Sequence, residues 1–457
     1  MKKIGLLTIL LFGVTATLFS QPIPSVEEWT LDNGLKVFFI PYGKLKTTSV
    51  ALYINFGKKN EAPGQQLYSE IAVQCMSFGN ATYSKSQLKE ELFKMGTAMN
   101  TSVNENYTVV EASFTDRDLD KGMKLMSAAV IQPVFPELEI QQFITQTLDF
   151  NNPMKMDIVE QAALYANTWV YGKDNPIGRC YQVATLKKTP VTDIKDFYAF
   201  NVTPKNSRLV VCGNYDKEAV KQMIRNHFGS WKAQFGEVNG VSFESPQMKG
   251  KEYGFINRKE AEQAALLWNK NGPVPGSKDE LPFLMANVIF NNVLFKEIRE
   301  KGGKTYGISS QYNPYSGSSI YKVLTQVRNE EVVNTIRLFD AALKSFYEKG
   351  LSATDLKTAR KNLKNNWQMI QSPDEVISFF NPIIYSKPAV RNSYLTVVDA
   401  VLLEDVNRVI KKYFTPDNYK LMISGDETAL EKQLLELKPM RRFTLKDLEM
   451  YTTATGQ

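Results

Sequence analysis

Thr203-Pro204-Lys205-Asn206-Ser207-Arg208-Leu209-Val210-Val211-Cys212-Gly213 returns 212 residues later as Thr415-Pro416-Asp417-Asn418-Tyr419-Lys420-Leu421-Met422-Ile423-Ser424-Gly425. The Thr-Pro, Asn, Leu and Gly positions coincide. The same offset pairs Asp193-Ile194 with Asp405-Val406 in the preceding segment, and Pro63-Gly64 with Pro275-Gly276 near the start of each half. Chance supplies one such match but hardly the set, so the chain reads as two tandem copies of one domain. We place them at residues 21–234 and 252–457, joined by a linker at 235–251 that is rich in Gly, Ser and polar residues.

Within the first copy, residues 36–40 and 49–56 alternate or run apolar as strands, with Asp32-Asn33-Gly34 as a tight turn before them. Helical spacing predicts helices over 67–76, 85–95 and 119–131, with a strand at 107–114 before the last. A helical region from 136 to 169 leads to a helix at 191–200, a strand at 208–212 and a helix at 217–228. The second copy resumes at 254–267. Consecutive strands with helices between them predict an α+β class, each copy an antiparallel-rich sheet covered by helices.

Residues 1–20 read as a secretory signal, with Lys2 and Lys3 before a short apolar run and small polar residues near Ser20. No cysteine lies near the cleavage point, and the apolar run is too short for a convincing membrane span. We expect an exported protein, periplasmic or extracellular, beginning near Gln21 with no stable membrane insertion. Two of the 55 basic residues leave with the signal, so the formal charge falls from +7 to +5. That excess is mild and predicts no nucleic-acid partner. The basic clusters at 357–364 and 438–446 read as solvated faces.

Cys75, Cys180 and Cys212 are far apart and odd in number, which excludes a disulfide framework and a metal knuckle. Cys75 is expected in a helix and Cys212 in a buried strand. A Cys180 to Cys212 bridge is the pairing left open by an oxidising compartment. His227 is the sole histidine, too few for a His-rich zinc site, and without a Gly-x-Ser-x-Gly elbow it offers no recognisable catalytic triad.

Residues 294–307, Leu-Phe-Lys-Glu-Ile-Arg-Glu-Lys-Gly-Gly-Lys-Thr-Tyr-Gly, read as a charged helix end that breaks at Gly302 and Gly303 and enters a strand. Arg299 falls in the last turns and Tyr306 just past the break. Such a break can turn a guanidinium and a phenol toward one cleft, where they could hold a peptide carbonyl or a developing oxyanion. Taken alone, the same residues also fit a capped helix with a solvated Arg and a strand Tyr.

The order of these motifs resembles the pitrilysin and insulinase family of zinc peptidases, with its catalytically silent relatives among mitochondrial processing and respiratory core subunits. The resemblance covers nearly the whole mature chain. It is carried by residues 31–37, the Gly57 to Gly64 loop, the Asn-rich entry at 100–107, Pro133 to Pro136 and the 203–213 and 294–306 units. It implies two similar α+β domains facing each other as half of a clamshell. In active members an inverted HxxEH helix binds zinc through two histidines, and its glutamate activates water. The window matching it here is Glu70-Ile71-Ala72-Val73-Gln74, so Glu70, Val73 and Gln74 stand where the ligands and base would be. The third ligand falls near Asp149 and Phe150. The family's substrate-orienting Arg and Tyr, seven residues apart, match Arg299 and Tyr306. The resemblance thus implies a chain without its own zinc or other cofactor. It would pair with a homologous HxxEH-bearing subunit that holds the zinc, act on peptide substrates, and supply Arg299 and Tyr306 as catalytic and substrate-binding groups. A silent peptide-binding or structural pseudo-peptidase is the alternative.

Overall fold

A computed structural model describes residues 24–44, 46–233, 241–300, 303, 305, 307–386 and 393–448. The signal at 1–20, the first part of the linker, Gly302 and Tyr306 lie outside the described residues. The first half runs β1 (Glu27–Thr30), β2 (Lys36–Pro41), β3 (Thr47–Ile54), α1 (Tyr68–Cys75), α2 (Lys85–Lys94), β4 (Asn100–Val103) and β5 (Thr108–Thr115). It continues through α3 (Leu119–Ile131), α4 (Glu137–Phe150), α5 (Ile158–Tyr171), α6 (Val183–Leu186), α7 (Val191–Asn201), β6 (Ser207–Gly213) and α8 (Lys217–Phe228). The second half runs β7 (Lys251–Asn257), β8 (Gln263–Asn271), α9 (Glu280–Leu294), a π-helical turn (Phe295–Glu300), β9 (Ile308–Tyr315) and β10 (Ser318–Arg328). It ends with α10 (Val332–Lys349), α11 (Ala353–Gln368), α12 (Pro373–Ser386), α13 (Tyr394–Ala400), α14 (Leu403–Tyr413), β11 (Tyr419–Gly425), α15 (Glu427–Glu436) and β12 (Met440–Phe443).

The repeat is structural. The strands β6 and β11, and the helices α7 and α14 before them, are offset by the same interval as the sequence match. The described strands form two six-stranded sheets, in the orders β1-β2-β6-β3-β5-β4 and β12-β7-β11-β8-β10-β9. Most pairings are antiparallel, while β2 runs parallel to β6, and β7 parallel to β11 and β12. Gly64 and Gly276, the repeated Pro-Gly positions, both sit at positive φ, 89° and 78°, where a Cβ would be strained. Two expected stretches are subdivided. The segment 254–267 is two strands turned at Glu260, and the helical region 136–169 is broken between α4 and α5, where Asp157 caps α5 through the N–H groups of Val159 and Glu160.

The expected layering of helix-covered sheets holds, and the structure adds that each sheet is covered on both faces, one cover coming from the other half. Side chains alternate across a strand. Val37, Phe39, Val50, Leu52, Leu209 and Val211 therefore face α1, α3, α4, α7 and α8 of their own half. Their neighbours Phe38, Ile40, Ala51, Tyr53, Val210 and Cys212 meet Trp367, Ile370, Val376, Ile377 and Phe380, from the end of α11 through α12. Reciprocally, Ala265, Leu267 and Met422 of the second sheet meet Ala162, Tyr165 and Ala166 on one face of α5. Polar ties follow the same crossing: Lys322 Nζ donates to Asn167 Oδ1 at 2.9 Å, and Asn106 Nδ2 to the Pro314 carbonyl at 3.0 Å.

This exchange makes the halves one folding unit. Urea denaturation is expected to show a single transition, and Trp367→Ala, which empties a site 1% exposed against the first sheet, should cost about 3–5 kcal/mol. Two resolved transitions, with the first half alone responding to the substitution, would contradict the coupling.

Candidate functional site

The loop after β3 sets the first part of the site. The N–H groups of Lys58 and Lys59 donate to the carbonyls of Asn104 and Glu105, which lays the loop along the β4 to β5 turn. A Cβ on Gly57 would stand 2.2 Å from the Asn104 oxygen, so only glycine permits this approach. The chain then enters α1 through Leu67, a fully buried leucine at φ 76°, a left-handed backbone held against its steric cost by the core around the side chain.

These constraints bring Lys58, Glu61 and Glu70 together. Lys58 Nζ lies 3.4 Å from Glu70 Oε1, and the buried Glu61 accepts the Ser69 N–H at 2.9 Å. Arg179 Nη1 donates to the Glu61 carbonyl at 2.6 Å. Burial opposes the charge on Lys58, yet Glu70, then Tyr181, Glu105 and Glu61, raise its pKa above the ordinary lysine value. Burial, and next the charge of Glu70, push the Glu61 carboxyl well above the usual carboxylate range.

The three positions of the degenerate motif each have their own partners. Glu70 faces this cluster, Gln74 Nε2 donates to Ser77 Oγ at 2.8 Å, and Val73 is packed into the first core. Near the expected third ligand, Asp149 pairs with Lys155 and Phe150 is 77% exposed. The residue at the end of α4 that lines the same cavity as Glu70 is Asn151, just past both. Its amide is a neutral donor and acceptor, and only the turn geometry after α4, not residue type, could have singled it out. A zinc ion does not fit this set, because the one carboxylate of the window is already matched to an ammonium, no imidazole is among the residues that line the cavity, and its one thiol, Cys180, is paired with Thr168.

The second part of the site lies in the other half. Helix α9 is pinned at its start, where buried Asp279 accepts from Arg408 at 2.7 Å, Lys412 at 2.9 Å and Tyr413 at 3.0 Å, all from α14. At its other end α9 widens into the π-helical turn, anchored by the buried Ile298. Arg299 is exposed there, its guanidinium over the Phe295 ring at 4.7 Å. Gly303 closes the turn at φ 59°, donating to the Arg299 carbonyl at 3.1 Å, as the sequence break implied. Thr305 Oγ1 donates to the Gln326 carbonyl at 2.7 Å, tying the following segment to β10. Within the chain α1 packs on α4, α7 and β4, whereas the π-helical turn packs on α9, α10 and β9, so Glu70 and Arg299 are carried by different layers.

The remaining sequence candidates are structural. His227 Nε2 lies 2.8 Å from Asp120 Oδ1 and joins α8 to α3. Cys75 and Cys212 are buried as expected. The Cys180 to Cys212 bridge does not form: none of the three cysteines is in a disulfide, Cys212 lies under α12, and Cys180 packs beside α5. Burial pushes the Cys75 thiol up to about 12, which keeps it protonated and inert.

Comparison with known proteins agrees with this architecture. Residues 41–177 match the insulinase family, peptidase family M16, and residues 190–363 match the peptidase M16 inactive domain. Together these segments cover about two thirds of the chain, and the chain belongs to the insulinase-like M16 peptidase family. It is 20% identical to the uncharacterized zinc protease YmxG of Bacillus subtilis, over 87% of this chain and 98% of that protein. It is 23% identical to an uncharacterized zinc protease of Rickettsia bellii, over 80% of this chain and 88% of the relative. Among solved structures, an M16 inactive domain from Pseudomonas fluorescens superposes with a TM-score of 0.78 at 17% identity, covering 88% of this chain and 98% of that one. The periplasmic protease PqqL of Escherichia coli superposes with a TM-score of 0.71 at 17% identity, and 94% of this chain matches 50% of PqqL.

The anchor of α9 makes one pH dependence explicit. Burial opposes the charge on Asp279, but hydrogen bonds from Lys412, Arg408 and Tyr413 outweigh it and hold the carboxyl at about 2. A depressed folded pKa contributes stability that is present above the ordinary aspartate value and is lost as pH falls toward 2. Urea midpoints followed down through that window should fall for the native chain and flatten for Asp279→Asn. An unchanged slope in the variant would remove Asp279 as the source.

Proposed function

We propose that this chain is the non-zinc subunit of an exported heterodimeric metallopeptidase that degrades peptides. Residues 21–234 and 252–457 form its two domains, and Arg299 and Tyr306 serve a zinc site held by a homologous HxxEH-bearing partner. The observation that carries this reading is the Lys58 to Glu70 pair: the helix that bears the zinc ligands in active relatives is here occupied by the chain's own charges. Arg299, by contrast, is presented at the surface on a π-helical turn, a local form frequent at functional sites. The match of this chain to half of PqqL supports a two-chain assembly of that length. Export rests on residues 1–20; among the described residues no helix is long and apolar enough to cross a membrane.

In this assembly Arg299 offers a fixed, always-charged fork and Tyr306 a neutral donor, suited to orient a peptide carbonyl and to stabilise the oxyanion that develops on it. Zinc in the partner would supply the activated water. This chain's share is positioning and charge stabilisation.

Two outcomes are expected. The chain purified without a partner should retain no stoichiometric zinc after dialysis, and elemental analysis finding one tightly held ion per chain would contradict the assignment. In the mixed complex, Arg299→Ala or Tyr306→Phe should leave assembly intact and reduce peptide turnover by about two to three orders of magnitude. Equal turnover with both changes combined would make the pair structural and favour a silent peptide-binding or scaffolding pseudo-peptidase. Glu70→His, Val73→Glu and Gln74→His together should not restore activity, because Val73 points into the core and Asn151 leaves the set without a third anionic ligand.

A further inference from the structure

The cavity at the start of α1 holds two polar atoms that the fold leaves unmatched. It encloses about 160 Å³ beside Lys58, Gln66, Glu70, Glu105, Asn151 and Arg179. Gln66 is 4% exposed, and its Oε1 is buried without a hydrogen-bond partner. Glu70 Oε2 is likewise buried and unpartnered, since Lys58 approaches the other oxygen of that carboxylate. A buried acceptor without a donor costs about as much as a lost hydrogen bond, and more when it is charged. Both unmatched atoms are acceptors, so an occupant must bring donors.

The charges decide which donor. Glu61, Glu70 and Glu105 surround the cavity, and the guanidinium of Arg179 is spent on the backbone carbonyls of Glu61, Lys173 and Asp174. Lys58 answers one oxygen of Glu70, while Arg179 keeps its charge near Glu61 and Lys322 its charge near Glu105. Burial, and next the charge of Glu70, favour the neutral form of Glu61, so the free oxygen of the Glu70 carboxylate is the charged acceptor that an occupant meets. We infer that this cavity binds the primary ammonium group of a peptide, which donates to Gln66 Oε1 and Glu70 Oε2 while its chain leaves past the half-buried Glu105 and Asn151. An ammonium presents three donors in a compact head, which suits two acceptors in a space too small for a folded chain. The site belongs to this chain alone and does not depend on a partner's zinc or on Arg299.

The test uses the purified chain without any partner, with calorimetric titration of penta-alanine, N-acetyl-penta-alanine and an N-acetylated pentapeptide carrying one lysine. Penta-alanine is expected to bind at least about tenfold more tightly than its acetylated form, the scale of one charge-assisted hydrogen bond. Comparable binding of the lysine peptide would show that a side-chain ammonium also enters; its failure would assign the site to the peptide N-terminus. Gln66→Leu should abolish the preference and raise the melting temperature of the free chain, since it removes an unmatched acceptor. Glu70→Gln should abolish the preference independently, which keeps the inference testable if the leucine is not accommodated. Equal binding of free and acetylated penta-alanine, binding of neither, or a preference that survives both substitutions would overturn it and leave the cavity filled by water only.

Discussion

The constraint on which the structure depends is that both sheets are apolar on both faces while each half brings cover for only one. In the first sheet, Val210 and Cys212 would be exposed without Trp367, Val376 and Phe380. In the second, Leu267 and Met422 would be exposed without Ala162, Tyr165 and Ala166. The hydrophobic term for these faces is realised only when each half lends a helix to the other. Consequently α5 and its flanking loops are held from both sides, and so is the cavity they help to line. The positions of Asn151, Asn167 and Arg179 around α1 are therefore set by the packing of the second half as much as by the first.

The repeat was legible because it is written in residues that turns require. Thr-Pro-x-Asn before an apolar run, and Pro-Gly at a left-handed position, demand particular residue types, so both copies keep them. What the two copies do with the shared turn was not legible. In the first, Asn206 donates to Asn201 and Ser207 to Thr203. In the second, buried Lys270 reaches across from β8 to the carbonyls of Thr415 and Asn418, and burial lowers its pKa to about 7. The same backbone shape is thus closed by a local side chain in one copy and by a long-range lysine in the other. The loan of α5 and α12 was hidden for a similar reason: their apolar faces are ordinary amphipathic stripes, and periodicity states that a face is buried without naming what buries it.

The candidate site was read unevenly along the same line. Window Glu70 to Gln74 could be found because helix spacing puts Glu70 and Gln74 one turn apart, and the helix end at Gly303 because glycine marks it. Missing from the sequence reading were Lys58, Gln66 and Asn151. Each stands in a loop or at a helix edge, where residue type says little and position is fixed by contacts far away, as with Lys58 laid against Asn104 and Glu105. The π-helical turn beneath Arg299 was likewise invisible, since its sequence has the spacing of an ordinary helix and the widening shows only in the backbone.

Lys58 and a divalent metal would neutralise the half-buried Glu70 carboxylate in different ways. An ammonium offers three donors on a tether, so it balances Glu70 without a fixed coordination geometry and without an open position for a reacting oxygen. The helix thereby keeps its charge balance and its packing, with Val73 in the core. A lysine nitrogen has no vacant orbital to share with a carbonyl or a water, so the Lys58 to Glu70 pair is not itself a Lewis acid. At α1 the fold presents a shaped, charged cavity on an intact scaffold. Under the proposed function, recognition would rest with the loop and helix of the first half and charge stabilisation with Arg299 in the second.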